Sequence, residues 1–81
     1  MVTPQHIEDW IKSSLPCDYL RVEGDGHHFE AVIVSSEFRG KLRVARHQRV
    51  YQSLGERMQA DIHALSMQTL TPEEWQAKQH G

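Results

Sequence analysis

At 81 residues with a formal net charge of −2, the chain has room for one domain, spanning 1–81, and no second. With 38% apolar and 25% charged residues it is too apolar for a disordered tail, and no apolar run reaches the roughly 20 residues of a bilayer span. The single cysteine, Cys17, excludes an internal disulfide and a multi-cysteine zinc site in one chain.

The chain opens with a helix. Thr3 is placed to cap it and Pro4 to occupy its first position. Ile7, Trp10, Ile11 and Leu15 then form one apolar face, with Glu8 and Asp9 in the first turns where the helix dipole favours negative charge. Leu15-Pro16 ends it. A short strand is expected over 19–23, with Leu20 and Val22 on one face, and a central, mostly buried strand over 29–34. The turn signal Gly24-Asp25-Gly26 between them makes the pair an antiparallel hairpin.

After a connector over 35–40 anchored by Phe38, a second helix is expected over 42–58. Its inward stripe reads Val44, His47, Val50, Tyr51, Leu54 and Met58, with Arg43, Arg46 and Arg49 on the flanking face and Gly55 as a point of breakage. A third strand follows over 62–70. A last helix is then announced by Thr71 as cap, Pro72 at its first position and Glu74 closing a capping box, with Trp75 anchoring it to the sheet. The order α-β-β-α-β-α implies an α+β domain. Its sheet has three strands, mixed because a crossover brings the third in parallel, with helices packed on one side.

Little here resembles a catalytic site. There is no Gly-rich phosphate loop, no nucleophile elbow around Ser35, Ser36 or Ser66, and the adjacent acids Glu8/Asp9 and Glu73/Glu74 read as helix-start residues. No enzyme is expected. Two other features carry information. The first is a basic segment: Arg39, Lys41, Arg43, Arg46 and Arg49 lie between Glu37 and Glu56 with no acid among them. Such a stripe attracts phosphate or an acidic partner, or is simply a solvated helix face. The second is a set of six histidines. His6 and His80 read as solvated and His47 as a packed, hydrogen-bonded ring. His27 or His28, after the turn, together with His63, at the entry to the third strand, supply two imidazoles. Two ligands are half a metal site and need a partner to complete it. Imidazole can replace thiolate on one iron of a [2Fe–2S] centre. Cys17 reads as a small buried hydrophobe rather than a ligand.

Phe38-Arg39-Gly40, Arg46-His47-Gln48-Arg49-Val50-Tyr51, Ile62-His63-Ala64-Leu65-Ser66 and Thr71-Pro72-Glu73-Glu74-Trp75 together resemble the BolA family over nearly the whole chain. The hairpin Val22 to Phe29 is similar to the small bacterial branch of YrbA/IbaG type, with histidine in the loop. The resemblance implies a fold like the class II KH domain and association with a monothiol, CGFS-type glutaredoxin. It also implies a [2Fe–2S] cluster shared with that partner and with glutathione. By the same resemblance His63 is one ligand, and His28 or His27 the second. The family is linked as well to transcriptional regulation and stress, which would put the arginine segment on DNA or on the glutaredoxin. The G-x-x-G loop that KH domains use to clamp a nucleic-acid backbone is missing here. A homodimer without a cluster is the third reading. The first ten residues carry neither the basic nor the apolar region of a secretory leader, so the expected compartment is the cytoplasm.

Overall fold

The computed structural model describes residues 2–60, 62 and 64–80, with the backbone alone at 59, 60 and 80. Helix α1 (Pro4–Lys12) starts at Thr3, whose hydroxyl accepts the His6 N–H while His6 Nδ1 accepts the Thr3 N–H, each at 3.2 Å. Histidine thus takes the place glutamate usually fills in this reciprocal cap. The expected dipole role of Glu8 and Asp9 is not what the structure shows. The Glu8 carboxylate accepts the Val22 N–H at 3.1 Å, and Asp9 accepts from the Gln5 amide at 2.9 Å. Glu8 thereby closes part of a sheet edge that would otherwise be open.

Strands β1 (Tyr19–Gly24) and β2 (His28–Val34) pair antiparallel, and β3 (Ala64–Leu70) pairs parallel to β2, giving the order β1-β2-β3. This is the mixed α+β sheet expected from the element order. Phe29, Ala31 and Ile33 of β2 and Val22 of β1 are buried on one face. Ile7 and Ile11 of α1 cover that face together with Val50 and Leu54 of α2 (Arg43–Leu54). Phe38, in a 3-10 turn at Ser36–Phe38, completes the core as expected.

Two departures concern the second helix. It stops at Leu54, because Gly55 adopts φ +60 as its cap, and a single turn, α3 (Arg57–Ala60), follows. Its buried face is Val50, Ser53 and Leu54, whereas Val44 is 69% and Tyr51 40% exposed. Of the expected inward stripe, Val50 and Leu54 are buried, Met58 packs against the core and His47 is half-buried, while Val44 and Tyr51 point outward. The true core face is turned toward the flank on which Arg46 and Arg49 lie.

Helix α4 (Pro72–His80) begins with the expected capping box. Thr71 Oγ1 accepts the Glu74 N–H at 3.1 Å, and Glu74 accepts the Thr71 N–H at 2.8 Å. Packing on one side holds for α1 and α2. In α4, Trp75 stacks on Tyr19 with ring centroids 4.7 Å apart, and Lys78 reaches Gln68. Tyr19 and Gln68 alternate with the core-facing residues of their strands, so α4 leans over the rim of the second face. Among the described residues no helix is long and apolar enough to cross a membrane.

Candidate functional site

The β1–β2 turn is built around Asp25. Its Oδ1 accepts the backbone N–H of both His27 and His28 at 2.9 Å, which holds the carboxyl below the usual carboxylate range. Gly24 is required by close approach. A Cβ there would run into the His28 carbonyl and stand 2.6 Å from Phe29 Cδ1. With Phe29 buried beneath, His28 opens β2 as an exposed residue on the opposite face. His27 lies one residue earlier, in the turn, and is also exposed.

The parallel register sets His28 opposite Ala64, the first residue of β3. His63, the other expected ligand, lies outside the described residues. Beside His28 runs a shallow cleft of about 450 Å³ whose walls include Glu23, Asp25, Glu30 and Ser66. Its rim is therefore acidic. Among the described residues no three His, Cys, Asp or Glu side chains come together as a metal site. Cys17 stands apart: it is half-buried, its thiol donates to the Leu15 carbonyl at 3.3 Å, and burial pushes its pKa up to about 11. That suits the structural role expected for it.

The five cations of the basic segment do not form one free stripe. Arg39 forms a two-point pair with Glu73. Arg49 donates to Glu37 at 3.0 Å and to the Ser14 carbonyl at 2.6 Å. Arg46, with its side chain only 15% exposed, donates to the Lys41 carbonyl at 2.7 Å, the Thr69 carbonyl at 3.0 Å and Glu74 at 2.7 Å. Three of the five thus hold the fold together. Lys41 and Arg43 form no ion pair with a described residue. The carboxylate partners of Arg39 and Arg46 are Glu73 and Glu74, 34 and 28 residues away, which is why counting charge within the segment misses them.

Lys41 and Arg43 instead line a second cleft, of about 650 Å³, between the start of α2, the outer edge of β3 and α4. Leu42, 84% exposed, stands at its mouth. His47 also lines it. The ring is half-buried, with no hydrogen bond to a described residue, and burial, aided by the charge of Arg43, lowers its pKa. The hydrogen-bonded ring expected at this position is not found.

Comparison with known proteins places these features. The family model described as BolA-like protein matches residues 3–74. A DNA-binding transcriptional regulator BolA from Haemophilus influenzae is 39% identical over 96% of this chain and 85% of its own. The acid stress protein IbaG of Escherichia coli is 37% identical over 85% of this chain and 83% of its own. Among solved structures, a BolA homologue from Coxiella burnetii superposes with a TM-score of 0.82 at 49% identity, covering 94% of this chain and 99% of that one. The matched segment contains the whole sheet, the Asp25 turn and the capping box at Thr71, and by sequence and by fold alike the chain belongs to the BolA family.

Proposed function

We propose that this protein is a non-enzymatic adaptor that pairs with a monothiol, CGFS-type glutaredoxin and co-ligates a [2Fe–2S] cluster with it and with glutathione. One observation supports the reading most: His28 lies opposite Ala64 in parallel strands, and His63 is joined to Ala64 by a peptide bond. Neighbouring strands are about 4.8 Å apart and successive Cα atoms about 3.8 Å. Connectivity alone therefore keeps the backbones of 28 and 63 within about 9 Å, a span that two imidazoles on one iron can bridge. The register leaves both loop histidines open, since His27 precedes His28 as His63 precedes Ala64, and it is the resemblance to the histidine-loop branch that favours His28.

The donor set fits half a cluster. Two histidines offer neutral ligands, and partner thiolates would complete the coordination. Neutral ligands also suit the rim, since thiolates would add negative charge beside Glu23, Asp25 and Glu30. Imidazoles release a metal on protonation more readily than a closed thiolate cage does, so the cluster is cargo to be sensed or passed on. The test mixes this protein with a glutaredoxin carrying its cluster and records visible absorption and circular dichroism. A new spectrum is expected that is lost in His63→Ala, weakened in His28→Ala and retained in His27→Ala. A His63→Ala protein that folds normally and gives the unaltered spectrum would remove the reading.

A second reading, direct DNA binding, is favoured by the name of the Haemophilus relative. With Arg39, Arg46 and Arg49 paired, Lys41 and Arg43 are left to meet phosphates. Their neutralisation of about two charges corresponds to a log–log salt slope near −2. A slope near −5 would mean that the paired arginines swing out to bind.

A further inference from the structure

We infer that the outer edge of β3 is a docking groove for an extended acidic peptide of a partner protein, added beside it as a fourth strand. This surface lies at the far end of β3 from His28 and is independent of the cluster. The Thr69 carbonyl faces away from β2, since it accepts from Arg46, while the Leu70 carbonyl faces inward to the Ser35 N–H. Alternation then turns the N–H and carbonyl of Met67 outward too. No described side chain occupies those two groups.

The edge is bordered by the 650 Å³ cleft, which holds apolar and cationic side chains in one place. Leu42, 84% exposed at the start of α2, shares the cleft with the half-buried Met67 and Leu70. Lys41, Arg43 and Lys78 stand around them without a carboxylate partner, and the one acid lining the cleft, Glu74, is already held by Arg46. An extended segment would gain main-chain hydrogen bonds from Met67, apolar contact from Leu42 and Leu70, and charge pairing from the three cations. Charge selects the occupant. A second copy pairing edge to edge would bring like cations together, so the groove keeps copies apart while accepting an acidic strand.

The test uses the full, isotope-labelled protein and a capped heptapeptide alternating glutamate with valine, followed by amide chemical shifts. Shifts are expected in 41–47 and 65–70. Paired Lys41→Glu and Arg43→Glu changes, both at exposed or half-buried side chains, should weaken binding about tenfold or more. A peptide with proline in place of its central valine should not bind, because it cannot continue the ladder. The inference is overturned if a lysine–valine peptide binds as well, if the proline peptide binds equally, or if the shifts fall elsewhere. It is equally overturned if the acidic peptide leaves the cleft unshifted while a DNA duplex shifts it, which would make the surface a nucleic-acid face.

Discussion

Glu74 Oε1 serves two donors from different parts of the chain: the Thr71 N–H at 2.8 Å and Arg46 Nη1 at 2.7 Å. One carboxylate therefore caps α4 and ties it to α2, while Arg46 spans onward to the carbonyls of Lys41 and Thr69. The two ends of this contact differ in weight. Glu74 is 47% exposed, so the ion pair itself contributes under about 1 kcal/mol. Arg46→Ala also leaves two carbonyls without their charged donor and should destabilise by about 2 kcal/mol. Glu74→Ala loses its half of the capping box and should cost about 1 kcal/mol. Urea unfolding of both variants and of the double variant checks the order. Equal losses would mean that the ion pair, and not the carbonyl contacts, carries the stability.

Acid should weaken the same corner. Arg39 holds Glu73, and Arg46 with the Thr71 N–H holds Glu74, below the usual glutamate range. Groups with lowered folded values contribute stability that is complete above the unfolded value, about 4.3, and is lost as pH falls through the folded one. Thermal unfolding from pH 6 down to about 3 should show a shallower decline in the Glu73→Gln, Glu74→Gln double variant than in the parent. Parallel curves would refute the assignment.

His47 titrates in a higher window. Its value is lowered chiefly by burial, so its contribution is complete above about 6.5 and declines as pH falls below that. His47→Gln should flatten the stability profile between about pH 7 and 5 without altering it at pH 8. A profile unchanged in that interval would show the ring to be effectively solvated.

Gly24→Ala tests how tightly the turn is built. The added methyl meets the His28 carbonyl and the Phe29 ring, and Phe29 is fully packed in the core. A loss of about 2 kcal/mol is expected. Faster amide exchange at His27 and His28 should accompany it. Retained stability with protected amides would mean that the hairpin yields cheaply.

Cys17 should be slow to alkylate at neutral pH, because a thiol titrating near 11 is almost wholly protonated there. Cys17→Ala should leave any mixed-complex spectrum intact. Rapid labelling in the folded protein, or loss of the spectrum, would bring the thiol back as a ligand.

The order of elements was legible because each boundary carries its own chemistry: Thr3 with Pro4, Gly24 with Asp25, Gly55, and Thr71 with Pro72 and Glu74. The orientation of α2 was legible only in part, at Val50 and Leu54. Val44, His47 and Tyr51 have helical spacing, and spacing alone does not tell a core stripe from an exposed one. The structural task of Arg46 was hidden for another reason: its partners Thr69 and Glu74 lie 23 and 28 residues away. Of the histidines read as a ligand set, His27 and His28 lie among the described residues, with His28 opposite Ala64 in the parallel register, and His63 lies outside them.

The crossover has a consequence during synthesis. Strand β2, from His28 to Val34, is the most apolar stretch of the chain and the middle of the sheet. It finds β1 at once through the hairpin, but its other edge stays open until α2 and then β3 have left the ribosome. At roughly 5–20 residues per second that interval lasts on the order of seconds. A nascent chain stalled within α2 would present an unpaired, β-branched edge, the kind of segment that seeds intermolecular aggregation. Release from such arrest, rather than the stability of the finished fold, would then set the yield of this protein in the cell.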